Sequence, residues 1–211
     1  MNDPSLIEYP VRDFIEKLAS ADPEPGGGSA AALTASMAAA LVTMVANLTL
    51  GKEKYAKVEH RVSRIKASSE ALRSRLDELV ILDAHAYGTV IMATQLPAGT
   101  QAARAERARW IQEALIDAVQ VPHQVAEAAL DVARLSLEIV KIGNHHAVSD
   151  AGMAAVLAHA AAQSAALNVK INLASIKDKK FKLRIWSDTM GILKEMADLE
   201  HQVLSVTYEK L

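Results

Sequence analysis

Asp83 occupies a position where a carboxylate is costly. Counted through Val58, Val62, Ile65, Ser69, Leu72, Leu76, Leu79, Asp83, Ala86 and Val90, the steps alternate four and three. That is the a/d spacing of a helix packed along a bundle, so the acid falls on the buried seam. An unpaired ionised carboxylate there must be neutralised, paired or turned into a cavity. One reading is a salt bridge to an arginine on a neighbouring helix. The other is a group with a raised pKa, suited to act as a general base near neutrality.

Two further features could serve such a base. Pro25-Gly26-Gly27-Gly28-Ser29 leads into a run with no charge between Glu24 and Lys52. Glycines at a helix entrance can take positive φ and bring bare amides and the positive end of the helix dipole up to an anion or a polar ring edge. The structural alternative is a tight turn with Ser29 as N-cap. Farther along, Ser164, Asn168 and Asn172 recur every four residues, followed by Ser175, as a polar stripe on an apolar rod. Carboxamides inside a bundle need partners, either across helices or on the edge of a heterocycle.

Other candidates carry less. His145 and His146 are adjacent rather than four apart, and no carboxylate-rich ligand motif accompanies them, so no metal site is predicted. His85 points nearly opposite Asp83, and His159 is expected to be a satisfied core histidine. Lys177, Lys179, Lys180, Lys182 and Arg184 form a basic run, read as solvated surface or as an attractor for a polyanionic substrate tail.

The elements that must position these residues are helices. Aromatics make up 4 % of the chain and no period-two strand pattern occurs, so an all-α fold in one domain over 1–211 is expected. Val11, Phe14, Ile15 and Leu18 mark a first amphipathic helix. Leu33, Met37, Leu41, Met44 and Leu48 form one face of an alanine-rich second helix that Gly51 ends. A long helix from about Lys54 to Leu96 carries Asp83. Another is expected from Gln101 to Gln120, with Pro122 breaking or kinking the next helix, which runs as far as Gly143-Asn144. Ser149 or Asp150 is expected to cap a second charge-free alanine-rich helix to about Ile176. The two alanine-rich helices are expected at the centre of the bundle.

Composition narrows the function classes. A net charge of -2 gives no basic field for nucleic acid, and the absence of cysteine removes disulfides, thiolate ligands and cysteine nucleophiles. Ser29 to Leu50 is long enough to span a bilayer, but its Ala, Ser and Thr content argues for a buried helix and no membrane partner. The N-terminus lacks the pattern of a secretory signal, so a cytoplasmic protein is expected.

Several stretches taken together resemble one family. They are Pro25-Gly26-Gly27-Gly28-Ser29, Met44 to Lys52, Asp83-Ala84-His85-Ala86-Tyr87, Leu96-Pro97, Val121-Pro122, Gly143-Asn144, Ser149-Asp150-Ala151-Gly152 and Ala166 to Asn172. In this order they resemble the cyclodeaminase/cyclohydrolase family, to which belong the C-terminal domain of formiminotransferase-cyclodeaminase and stand-alone bacterial methenyltetrahydrofolate cyclohydrolases. The resemblance implies an up-and-down bundle, a homodimer, and a tetrahydrofolate derivative as substrate with no cofactor. It implies Asp83 as catalytic base and Pro25, Gly26, Gly27, Gly28, Ser29, Lys52, Asp150, Asn168 and Asn172 as substrate-binding residues, with Lys52 either meeting a glutamate carboxylate or capping the C-terminal end of the second helix. The length suits the stand-alone form, which favours cyclohydrolase over cyclodeaminase chemistry. Two departures stand out: Ile81 where the family usually has an acid, and Ala98-Gly99-Thr100-Gln101 where it commonly has a lysine and acids.

Overall fold

The computed structural model describes residues 5–211, so the first four residues of the expected domain lie outside the described residues. Six α-helices follow in order: α1 Val11–Leu18, α2 Gly27–Thr49, α3 Glu59–Gln95, α4 Gln101–Ile142, α5 Val148–Ala174 and α6 Lys179–Lys210. Short 3-10 turns lie at Leu6–Glu8, Glu53–Val58 and His145–Ala147, and there is no strand among the described residues. From α3 onward each helix packs on its predecessor, the expected up-and-down order, while α2 also lies against α5 and α4.

The alanine-rich helices are central, but not in the manner their sequence suggests. Ala32, Ala35, Ala38 and Ala39 of α2 and Ala155, Ala158, Ala161 and Ala162 of α5 are fully buried. Of the bulky face of α2, Leu33 and Leu41 pack against the core while Met37, Met44 and Leu48 are exposed, as are Met153, Val156, Leu167 and Ile171 of α5. Methyl groups let helix backbones approach closely, so the alanine faces form much of the contact, joined by Val42 and Val45 of α2 and Val169 and Leu173 of α5. Core bulk comes also from Leu76, Leu79, Ile139 and Met196.

Several helix ends differ from expectation. The N-cap of α2 is Gly26, and Ser29 lies inside the helix. None of the three glycines at that entrance has positive φ; among the described residues only Gly51 does, at 72°, directly after α2 as expected of a C-terminal glycine. The α3 helix starts at Glu59, after a 3-10 turn. Ala147 is the N-cap of α5, without a side-chain bond, and Asp150 sits in the first turn, where a carboxylate suits the helix dipole. Pro122 neither breaks α4 nor ends it, since the helix runs through it from Gln101 to Ile142.

Gly143-Asn144 does structural work. The Asn144 backbone N–H donates to Thr49 Oγ1 at 2.8 Å and its Nδ2 donates to the Leu48 carbonyl at 2.8 Å, fastening the end of α4 to the end of α2. Gly152 lets Thr207 of α6 approach so closely that a Cβ at position 152 would lie 2.9 Å from its Oγ1.

Candidate active site

The seam of α3 is buried at Val62, Ile65, Ser69, Leu76 and Leu79, as its spacing predicts. At Asp83 it opens. From there the helix borders a cavity of about 300 Å³, with Asp83, Ala84, Ala86, Tyr87 and Val90 on one wall. The glycine entrance of α2 forms another wall, Leu115 and Ala118 of α4 a third, and Asn168 and Asn172 of α5 a fourth. Pro23 and Glu24 lie at the rim, and no lysine, arginine or histidine is among the residues lining it.

Asp83 reaches this cavity along a polar ladder between α2 and α3. Ser29 Oγ donates to Asp83 Oδ2 at 2.9 Å, Ser36 Oγ donates to Asp77 Oδ1 at 2.5 Å, and the Thr43 and Ser69 hydroxyls pair at 2.7 Å. Asp77 is also met by Arg73 at 3.4 Å. Asp83 has no cation within salt-bridge distance among the described residues, so the arginine pairing left open by the sequence does not occur. Burial pushes its carboxyl above the ordinary carboxylate range, opposed in part by the Ser29 hydroxyl and the Ser29 backbone amide.

The three glycines are therefore needed for what they lack rather than for unusual backbone angles. A Cβ at Gly28 would overlap the Asp83 carboxylate, 2.6 Å from Oδ2 and closer still to Oδ1. At Gly27 it would make ordinary contact with Asn168 Nδ2 at 3.7 Å. As residues of the first turn, Gly27 and Gly28 have backbone N–H groups without intrahelical acceptors, free to donate to a bound molecule.

The carboxamides are oriented by their own donors. Asn168 Nδ2 donates to the Ser164 carbonyl at 2.9 Å, and Asn172 Nδ2 donates to the Ala118 carbonyl at 2.7 Å. Ala118 is four residues before Pro122, the residue in α4 that lacks a backbone N–H. Its carbonyl is thus the one the proline leaves without a helical partner. Asn172 fills that vacancy, so the proline and the asparagine form one device. With the amide nitrogens engaged, each Oδ1 is left as an acceptor beside the cavity.

Of the residues singled out from sequence, Gly26, Gly27, Gly28, Asp83, Asn168 and Asn172 line this one cavity. Ser29 is fully buried behind it and touches Asp83, not the open space, and Pro25 is buried in the loop. Lys52 and Asp150 do not line it. Lys52 follows the far end of the 23-residue α2, about 35 Å of helix from Gly27. Asp150 and Asn168 are separated by about 27 Å along α5. Ile81 is also not among the lining residues. His85 is exposed, and His159 is bonded to Glu200 and Gln163, as a satisfied histidine should be.

Sequence reasoning missed Glu24 and Tyr87 as lining residues and the ladder as a unit. The ladder did leave a signal: Ser29, Ser36 and Thr43 are seven apart, a heptad of hydroxyls. Among the described residues, no group of three or more His, Asp or Glu side chains is placed to hold a metal ion.

Comparison with known proteins gives this cavity a context. The chain is 38 % identical over 201 residues to a methenyltetrahydrofolate cyclohydrolase of Methylorubrum extorquens, covering 95 % of this chain and 97 % of that one. It is 33 % identical to the formimidoyltransferase-cyclodeaminase of Sus scrofa over 90 % of its length, but spans 35 % of that longer protein. Its fold matches a formiminotetrahydrofolate cyclodeaminase from Thermotoga maritima with a TM-score of 0.86 at 29 % identity, over 96 % of this chain and 97 % of the other. The family model described as formiminotransferase-cyclodeaminase matches residues 10–189, and by that match and these relatives the chain belongs to the formiminotransferase-cyclodeaminase family.

Proposed function

We propose that this protein is a methenyltetrahydrofolate cyclohydrolase, adding water to 5,10-methenyltetrahydrofolate to give 10-formyltetrahydrofolate. The carrying observation is Asp83, a carboxylate without a counter-cation in a cavity bordered by no basic residue. The substrate's amidinium supplies the missing positive charge. Its methenyl carbon, flanked by two nitrogens, is already electrophilic, so the protein's task is to place water and move protons. Asp83 holds the cation, takes a proton from the attacking water, and returns it to N5 as the ring opens. The Gly27 and Gly28 amides and the Asn168 and Asn172 carbonyl oxygens meet the acceptors and donors of the pterin edge. No cofactor takes part.

The test is absorbance. At mildly acidic pH, where spontaneous ring opening is slow, the near-ultraviolet band of the methenyl compound should decay faster with protein than without. Growth of that band from 5-formiminotetrahydrofolate with release of ammonia would instead identify a cyclodeaminase, the activity named for the Thermotoga protein. Folate binding without acceleration would leave a non-catalytic bundle.

The Pro122 device predicts a separate effect. Pro122→Ala restores an N–H that competes with Asn172 for the Ala118 carbonyl. Loss of one orienting hydrogen bond corresponds to about a 2- to 12-fold rise in substrate KM. Circular dichroism should show unchanged helicity, and an unchanged KM would show that Asn172 does not hold the substrate.

The protein is proposed to act in the cytoplasm as a homodimer, without nucleic-acid or membrane partners. Although α2 has the length and composition of a membrane span, its alanines are used inside the bundle. The exposed stripe is what a second copy would cover: Leu167 is 73 % and Ile171 69 % exposed, and α5 carries no charge between Asp150 and Lys170. Sedimentation should give a mass of two 22.6 kDa chains for the native protein and one for Leu167→Glu/Ile171→Glu. A native monomer would remove the dimer from the proposal.

A further inference from the structure

Hydrolysis of a methenyl cation to a neutral formamide releases one net proton, and when the carbonyl forms in the same step in which Asp83 protonates N5, a second acceptor has to take it. Once Asp83 has returned its proton to N5, the hydroxyl proton of the intermediate still has to leave as the carbonyl forms. Among the described residues, two carboxylates border the cavity, Asp83 and Glu24. Asp83 sits at its inner wall against α2. Glu24 sits at the rim, half-buried, with no ion-pair partner among the described residues.

Glu24 is also held in a defined place. It lies between Pro23 and Pro25, whose rings restrict the backbone on both sides. Its carboxylate reaches across to α3 at Gly88, where a Cβ would stand 3.6 Å from Oε1. A glycine inside a helix costs about 0.5–1 kcal/mol relative to alanine. At Gly88 a methyl would make only ordinary contact with the carboxylate, so a larger side chain is needed to displace it. Glu24 and Asp83 both line the cavity, Glu24 from the loop before α2 and Asp83 from α3.

We propose that Glu24 is the second catalytic carboxylate, the acceptor of the hydroxyl proton in the ring-opening step. This rests on the cyclohydrolase reading above. Water forms a C–O bond to the methenyl carbon and loses a proton to Asp83, giving a neutral carbinolamine. The C–N5 bond then breaks, its electron pair going to N5, which takes the proton from Asp83. The O–H proton passes to Glu24, and the O–H electron pair becomes the second bond of the C=O on N10. Glu24, at the rim, releases that proton to solvent, which accounts for the net proton of the reaction.

The experiment compares steady-state kinetics of the full-length native protein, Glu24→Gln, Glu24→Asp and Gly88→Leu on 5,10-methenyltetrahydrofolate. A native protein without activity would sink the cyclohydrolase reading itself, whereas the variants test Glu24 in a native protein that turns over. Glu24→Gln should lower kcat at least 10-fold with KM changed less than 3-fold, and Glu24→Asp should recover part of the loss. Gly88→Leu keeps the acid but pushes it off α3, and should lower kcat in the same way. Formate added to Glu24→Ala should restore turnover above the formate-catalysed background, because the emptied position opens to solvent. Native kcat in Glu24→Gln, or a raised KM with kcat intact, would overturn the proposal, leaving Glu24 as a rim charge that at most attracts the cation.

Discussion

Asp83→Asn is expected to lower kcat by about 10²- to 10⁴-fold, the range for loss of a positioned general base, while the folded protein still binds folate. The same change should not cost stability at neutral pH. The Asp83 carboxyl is pushed above the ordinary range because burial outweighs the hydrogen bonds from Ser29. A carboxyl that holds its proton more tightly folded than unfolded makes the folded state bind more protons. Stability then falls as pH rises from about 4, the unfolded value, through the raised folded value. The asparagine variant lacks this component. Its Tm relative to the native protein should therefore climb as pH is raised across that window and stay level above it. Thermal melts from pH 4 to 8 check the stability half, and the methenyl absorbance assay checks the other. Retention of most activity would remove Asp83 as the base.

The second large effect is expected at Gly28. Glycine to alanine in a helix normally stabilises by about 0.8–1.0 kcal/mol. At Gly28 the sign should reverse, because the new methyl would occupy the space of the Asp83 carboxylate. Either the acid rotates away, losing the Ser29 hydroxyl, or the start of α2 shifts. Gly28→Ala should lose activity by about 10²-fold or more, comparable to loss of the base itself, and be destabilised by about 1–3 kcal/mol, the usual cost of overpacking. Gly27→Ala is the control, since its methyl would make only ordinary contact with Asn168. It should keep or raise its Tm and remain within about tenfold of native kcat/KM, as expected for a contact worth under about 1.4 kcal/mol. Measuring both variants side by side separates a steric role from a backbone one. An active, stable Gly28→Ala would mean that Asp83 does not need to sit against the helix entrance.

The two variants probe one arrangement from opposite sides. Asp83 lies at the first turn of α2, where hydroxyl, amide and dipole favour its ionised form, and burial opposes them. The companion pair Ser36–Asp77, one heptad along, has Arg73 beside it. Both acids belong to one ladder, yet the one with a cation is a structural contact and the one without faces the cavity.

Much of this was determined by sequence alone. Periodicity is a local property, so the α3 seam, the C-terminal glycine Gly51 and the all-helical fold could be read from spacing. The polar residues Asp83, Asn168 and Asn172 announced themselves because a polar group on an apolar face must find a partner or a cavity. Tertiary structure decided which of these meet. Nothing local distinguishes Lys52 from Gly27, yet the rigid length of α2 puts them at opposite ends of the bundle. Pro122 reads as a breaker because it lacks the N–H that the Ala118 carbonyl needs; the donor that replaces it is Asn172 on α5, and only packing supplies it. The orientation of the alanine-rich helices was likewise hidden. Alanine faces dominate the contact and some large side chains, such as Met37 and Leu167, are left outside, because the bundle selects a short distance between backbones at its centre as well as hydrophobicity.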